Sequence, residues 1–568
     1  MKAPRAVEDL LRERAIAPID RHFAALMSDL APGDDTSVAL AAALASAATR
    51  EGHTCLDLEE LAGRDGPAGL RMPCRDAWIA SLEASPVVRQ TDSGTPAPLV
   101  LAGGRRLYLE RLFELERSVA AGIRERCAVP LETADSHAAL VDRHVPEDAV
   151  DDGPRKAVTV ALGGRFCCIS GGPGTGKTTI VARILSVLLD AGLVSPGGIA
   201  LTAPTGKAAA RLQQAVRDAS QRPDVAMLDA RTIHRWLISS RWHEDPTQLL
   251  VIDEASMVDI NIMGQVLGTL PDTARFVLLG DSLQLSSVQP GSVFADLVAA
   301  AASKSSPLHS RIVELRHNWR FDADGGIGRL AEAIRTNDAD GVIAALDDPG
   351  EPDITRRPLE GAEGFRRLAL RLTEDLYGPL VQDMASTPEK GFDPFSRFAV
   401  LCAHRRGAIG SARFNRLVEE DLRDRGLARQ RDGFYAGRPV IITRNDPATG
   451  LSNGDTGIVF PVEGGGRNVL FPQLRDDSGN ARVLPPGRLP DHESVFAMTV
   501  HRAQGSEYQD VTVVPGGEDS PILTRELLYT AVTRARRTVT IHGSEDEIRA
   551  ALANRTRRLS GLFDTLTL

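Results

Sequence analysis

The chain has 568 residues, 42% hydrophobic and 25% charged, with a net charge of −10 at pH 7. That suits a protein of roughly three or four domains and excludes a basic coat protein holding nucleic acid by charge alone, though not a motor whose basic residues line one channel. No apolar run approaches the ~20 residues that span a bilayer, no apolar leader follows Met1-Lys2-Ala3-Pro4-Arg5, and six scattered cysteines lack any C-x-x-C pair, so a cytoplasmic protein with reduced thiols and no membrane contact is expected.

In chain order, residues 1 to about 130 read as helical. Phe23, Leu26, Met27 and Leu30 share one helical face, as do Leu112, Leu115 and Val119. An acidic stretch with two prolines, near Asp135 to Pro154, reads as a linker. Short apolar strands then alternate with helical segments, with strands expected at 165–170, 198–203, 248–253 and 275–280. That βα alternation predicts a parallel sheet covered by helices. A second α/β region follows, with strand Phe398-Ala399-Val400-Leu401-Cys402. From about 431 to 495, glycine and proline separate short strands such as 439–442 and 457–460, which predicts a small β-barrel-like insert. The α/β pattern resumes at 511–514.

The most specific signal is Gly171-Gly172-Pro173-Gly174-Thr175-Gly176-Lys177-Thr178, followed by Thr179, which reads G-x-x-x-x-G-K-[ST] between a strand and a helix. Glycines allow successive N–H groups to turn toward a triphosphate, and the helix N-terminus adds partial positive charge. Lys177 is placed to reach the β/γ-phosphates, and the Thr178 hydroxyl to hold Mg²⁺. Only 6 of the 66 basic residues are lysine, so Lys177 and Lys207 stand out. A compact ammonium between phosphates is not interchangeable with guanidinium.

Strand Leu249-Leu250-Val251-Ile252 delivers Asp253 and Glu254 to the sheet edge where such folds bind ligands. Asp253 is expected to hold Mg²⁺ and Glu254 to polarise the attacking water; the bland alternative is an acid pair capping the next helix. Strand 276–280 similarly delivers Asp281 and Gln284, the latter toward the γ-phosphate or the water. Arg320 and Arg534 are candidates for the cations that phosphoryl transfer requires, although any single arginine among 60 is more often surface solvation.

Read in order, these motifs join Thr202 to Ala209, Thr232-Ile233-His234, Asn318-Trp319-Arg320, Thr499 to Glu507 and Tyr529 to Ala535. The ordered set resembles superfamily 1 DNA helicases, and most of all the RecD family, the alpha subunits of exodeoxyribonuclease V (the RecBCD complex). The segments 16–24 and 107–113 resemble those preceding the motor in that family. The resemblance implies an α/β fold with two RecA-like P-loop NTPase domains (131–320, and 321–430 with 496–568), a helical N-terminal domain (1–130) and a small SH3-like β insert (431–495). It implies ATP and Mg²⁺ as cofactors, with Lys177, Asp253, Glu254, Gln284, Arg320 and Arg534 catalytic and Gly505 and Glu507 near the ribose. Pro204, Thr205, Lys207, Thr232, His234, Thr499, His501 and Gln504 would line a sequence-independent DNA groove, though His234 alone would more often be a core histidine.

The function this resemblance implies is that of an ATP-dependent 5′→3′ helicase subunit acting on single-stranded and duplex-end DNA at double-strand breaks in recombinational repair. The partners implied are a beta (RecB-like) and a gamma (RecC-like) subunit in a heterotrimer, the nuclease residing in the beta subunit; residues 1–130, with apolar helical faces and no catalytic motif, are the candidate for docking onto the gamma subunit. A stand-alone 5′→3′ helicase of the same superfamily, or an ATPase-gated DNA-end sensor, is the alternative. Relatives carry Gln somewhat under twenty residues before the loop; here Pro154 or Arg155 stands there, which would relax adenine discrimination.

Overall fold

A computed structural model describes residues 3–31, 36–91, 95–129, 138–145, 152–220, 222–239, 246–319, 325–428, 433–462, 464–475, 479–517 and 520–567. Arg320 lies outside them, as does much of the expected linker.

Six parallel strands form the first large sheet, in the order Ile312–Leu315, Phe166–Gly171, Arg275–Gly280, Leu249–Ile252, Ile199–Ala203, Ala230–Thr232. The four expected strands are all there, within a residue of their expected ends. Their side chains alternate between two cores, as the two-residue period of a strand requires. Phe166, Cys168, Leu250, Ile252, Phe276 and Leu278 pack on one face, while Cys167, Ile169, Leu249, Val251, Val277 and Leu279 pack on the other. Each such buried aliphatic or aromatic side chain contributes roughly 1.5–3 kcal/mol, so this sheet is a rigid platform for the loops at its edge.

The second sheet has five parallel strands, ordered Ile354–Arg357, Ala535–His542, Tyr508–Val514, Phe398–Cys402, Ala497–Thr499. It too separates two cores. Between its strands the chain makes a five-stranded antiparallel sheet (Pro439–Ile442, Thr456–Pro461, Arg467–Arg475, Ala481–Leu484, His492–Ser494) around Val440, Ile442, Val459, Val469 and Phe471. This is the expected β-rich insert.

Two features depart from the sequence reading. The N-terminal region carries its helices (Arg5–Arg12, Pro18–Leu30, Thr36–Arg50, Arg75–Ala84, Glu110–Ala128) but also a four-stranded sheet. Its strands run only three or four residues, too short for a two-residue period to stand out. The C-terminal segment, expected to stay with the second sheet, instead crosses back: Leu562 and Leu566 pack in the core under the first sheet, beside Leu112 and Val119. On the way, Arg558 Nη2 donates to the Ser287 carbonyl at 2.9 Å and Nη1 to that of Glu51 at 2.8 Å.

Candidate nucleotide site and DNA groove

Strand Phe166–Gly171 leads into the loop, and helix Lys177–Asp190 leaves it. Gly174 (φ 86°) and Gly176 (φ 80°) sit in the left-handed region that side chains disfavour, which is why the loop needs glycine there. Lys177 Nζ donates to the carbonyls of Gly171 (2.5 Å) and Gly172 (2.8 Å), so the ammonium is already folded over the loop. Burial lowers its pKa, against the opposing pull of Asp281, Glu254 and Asp253.

Asp253 follows strand Leu249–Ile252, and its Oδ1 accepts the Glu254 N–H at 2.9 Å. Burial first, and the neighbouring Glu254 second, raise its pKa, while Lys177 and Arg211 pull it back down. Glu254 adopts φ 52°, a left-handed conformation costing a non-glycine residue on the order of 1 kcal/mol. The acid pair makes no side-chain cap: Glu254 is the N-cap residue of the short 3-10 turn Ala255–Met257 without a side-chain bond to it, and Asp259 caps the following helix, Ile260–Thr269. Gln284 is 4% exposed; its Nε2 donates to Asp281 Oδ2 at 3.2 Å, while its Oε1 is buried with no partner among the described residues.

One cavity of about 500 Å³ is lined by Pro173, Gly174, Gly176, Lys177, Thr178 and Thr179, by Asp253, Glu254 and Gln284, and from the second sheet by Glu507, Arg534 and Arg536. Arg534 thus lines the same cavity as Lys177, from the other side of the junction. It is 1% exposed, held by bonds from Nε to the Thr530 carbonyl (3.1 Å) and from Nη1 to that of Ser506 (3.3 Å). The size, the helix N-terminus and the buried ammonium fit a nucleoside triphosphate, and Thr178 with Asp253 fits one divalent cation.

Glu507, expected near a ribose, lines this cavity and pairs there with Arg211 of helix Gly206–Ala219 and with Arg536 (2.6 Å), the first pair tying the two sheets' domains together. Arg155 is tied to Asp142 and to the Val145 carbonyl (3.4 Å), and Pro154 takes the first turn of helix Gly153–Gly163. The flat surface in the cavity is Trp319, 56% exposed, whose backbone N–H donates to the Gly174 carbonyl at 2.8 Å. Its indole was legible as the residue between Asn318 and Arg320, yet composition gives it no role without the cavity beside it.

The groove residues divide. Thr205 caps helix Gly206–Ala219, accepting from Ala208 N–H at 3.2 Å, and Thr499 accepts from Arg502 N–H at 3.4 Å. A side chain on Gly505 would lie 3.2 Å from Ala208 Cβ, so the 204–209 and 499–505 segments face one another across the junction. Pro204 and Thr232 are half-buried and His234 is exposed, which removes the core-histidine alternative. Burial lowers the His501 pKa, with Arg558 adding to the effect. Two residues turn away from a DNA role in this conformation. Gln504 is buried and donates to the Leu285 carbonyl at 2.8 Å. Lys207 donates to Thr456 Oγ1 of the insert at 3.3 Å, and burial lowers its pKa to about 8. Gln504 takes a protein partner because water is excluded from its buried position, while Lys207 is half-buried at the edge of the junction.

Residues 12–108 match the N-terminal domain of the RecBCD enzyme subunit RecD, 150–353 an AAA domain, and 494–542 the UvrD-like helicase C-terminal domain. The RecBCD enzyme subunit RecD of Mycolicibacterium smegmatis is 38% identical over 96% of this chain and 97% of its own. The chain belongs to the RecD family. The Haemophilus influenzae RecD subunit is 30% identical over 86% of this chain and 84% of its own. The ATP-dependent RecD2 DNA helicase of Deinococcus radiodurans is 29% identical over 87% of this RecD-family chain, which spans 63% of that protein. RecD-family membership accounts for the ordered motifs, and the two parallel sheets account for how residues more than 350 positions apart line one cavity.

Proposed function

We propose that this RecD-family chain is the ATP-driven 5′→3′ helicase subunit of a RecBCD-type helicase-nuclease, working with RecB-like and RecC-like subunits at double-strand breaks. The observation that carries it is the shared cavity: Lys177, Asp253, Glu254 and Gln284 from the first sheet face Arg534 from the second. ATP bound there with Mg²⁺ supplies a scissile phosphoanhydride whose charge both domains contact. Lys177 and Arg534 stabilise charge on the phosphoryl oxygens; Thr178 and Asp253 hold the cation; Glu254 accepts a proton from the attacking water, and the free Gln284 oxygen orients it. When the γ-phosphate contacts are lost, nothing but the protein's own interdomain bonds holds the cleft shut, and the domains shift along the strand. Thr205, His234, Thr499 and His501 then contact backbone phosphates, which carry no sequence information.

An apolar face supports the subunit reading. On helix Pro18–Leu30, Ile19, Leu26 and Leu30 are 62%, 42% and 51% exposed, spaced seven and four residues apart on one side. This face is where the gamma-type subunit docks.

The test is Lys177→Gln in the assembled complex, with strand polarity read on tailed duplexes. ATP hydrolysis and unwinding should fall together by at least 10³-fold, roughly the scale of losing a phosphate cation, with the fold retained. Unwinding at the normal rate, or travel 3′→5′, would reject the mechanism or the polarity.

A further inference from the structure

Helix Arg525–Val532 of the second domain carries Thr530, which is fully buried. Two of its oxygens serve different domains. The Thr530 Oγ1 accepts the N–H of Leu285, which follows the last residue of the first-domain turn 281–284, at 2.9 Å. Its carbonyl accepts from Arg534 Nε at 3.1 Å and from Thr533 Oγ1 at 3.2 Å. The Leu285 carbonyl is taken as well, by Gln504 Nε2 at 2.8 Å. The Leu285 side chain is buried in the core of the second domain, together with Leu527, Leu528 and Ala531. Backbone and side chain of this first-domain residue are therefore both held by the second domain.

The residue just before it is Gln284. Its turn closes on Asp281, whose carbonyl accepts the Gln284 N–H at 3.2 Å, whose Oδ1 accepts the Leu283 N–H at 3.0 Å, and whose Oδ2 accepts Gln284 Nε2 at 3.2 Å. Gln284 thus sits between two fixed points, Asp281 in its own domain and Leu285 in the hold of the other. With its nitrogen committed, the amide keeps Oε1, buried and unpartnered among the described residues, on a side chain that lines the cavity with Lys177 and Glu254. A buried acceptor without a partner costs free energy unless a ligand meets it.

We infer that Thr530 is a positioning residue for ATP hydrolysis: its hydroxyl seats the Leu285 end of the Gln284 turn while its carbonyl seats Arg534, so that one residue sets the water-orienting amide and the phosphate cation in register. This deepens, and rests on, the nucleotide-site reading above. Gln504 completes the joint on the other side of Leu285. When the cleft opens, Thr530 leaves Leu285 and Arg534 leaves the phosphates in the same movement. An open cleft then holds ATP without cleaving it.

The experiment uses the full chain with single-stranded DNA, comparing Thr530→Val, Thr530→Ser, Gln504→Met, Gln284→Ala, Thr530→Val combined with Gln284→Ala, and Lys177→Gln. Valine keeps the branched shape and leaves the Leu285 N–H without its acceptor. Its kcat for ATP should fall about tenfold, the scale of one buried hydrogen bond lost. KM for ATP should stay within about twofold, a split that a loosened nucleotide site would not produce. Thr530→Ser, which keeps the hydroxyl, should stay within about threefold of wild-type kcat, and Gln504→Met, which leaves the helix untouched, should lose about fivefold. Because Thr530 and Gln284 act through one amide oxygen, the combined variant should fall less than about twofold below Gln284→Ala alone. Thr530→Val or Gln504→Met turning over within about twofold of the wild type would overturn the inference. So would serine losing as much as valine, which would make the residue mere packing, or losses that multiply in the combined variant. A wild-type chain with no more hydrolysis than Lys177→Gln would instead sink the nucleotide-site reading itself.

Discussion

Lys207 illustrates how one side chain can be claimed by two partners. Its ammonium is the kind of compact charge that suits a backbone phosphate, yet the insert holds it through Thr456 and buries it, with Asp455 close by to soften the cost. A Cβ on the adjacent Gly206 would lie 3.1 Å from that of Ser452, so the insert's 452–456 segment sits on the start of helix Gly206–Ala219. A phosphate can reach Lys207 only when that contact parts. This gives the pH effect a definite sign. In the closed contact the pKa is about 8 against an ordinary 10.5, so the closed form binds fewer protons and gains on the open form as pH rises between those values. Affinity for single-stranded DNA should therefore drop roughly three- to tenfold from pH 7 to 9.5. Lys207→Arg, whose guanidinium stays charged, should show a flatter profile by fluorescence anisotropy; parallel profiles would mean that Lys207 does not exchange between insert and DNA.

Among the elements, the last strand of the second sheet, Ala535–His542, binds stability to pH. His542 ends it, pairs in register with Arg357, and is 6% exposed. Burial, followed by Arg371 and Arg357, lowers its pKa to about 4 from 6.5. The native state thus holds this imidazole neutral while the unfolded chain protonates it. Stability from this site is complete above pH 6.5 and is lost as pH falls through 4, up to about 3 kcal/mol in all. His542→Asn should be less stable than wild type at pH 7.5 but lose less on acidification to pH 4.5, as urea midpoints would show. An equal slope in both proteins would place the titration elsewhere.

Across the whole molecule, the N-terminal region that we propose as the partner face is also a structural support. Helix Glu110–Ala128 places Leu112, Val119 and Ile123 in the core under the first sheet, where the returning Leu562 and Leu566 join them. Deleting residues 1–130 would therefore strip the motor's own core and say little about docking. Point variants on the outer face separate the two roles: Leu26→Asp with Leu30→Asp should leave the isolated chain's thermal midpoint within about 2 °C, since exposed substitutions rarely shift stability by more than about 0.5 kcal/mol. Co-purification with the RecC-like subunit should fall more than tenfold. Undiminished assembly would move the docking face elsewhere. The C-terminal segment adds a second tie, because Arg558 joins the Ser287 loop to Glu51 while the chain itself issues from the second domain.

Motif order and strand periodicity were enough to set out the phosphate loop, the Asp253–Glu254 pair, four strands of the first sheet and two of the second, and the RecD-family likeness, because each depends on neighbours in the chain. Three- and four-residue strands of the N-terminal sheet left no period to read, and the return of Leu562 to the first core has no local signature at all. Only the folded chain decided that Glu507 pairs with Arg211, that Gln504 bonds Leu285, and that Tyr529 rests on Gly172. Those contacts join residues hundreds of positions apart. Which polar groups meet in a buried junction depends on how the two domains pack, and no local pattern encodes that choice.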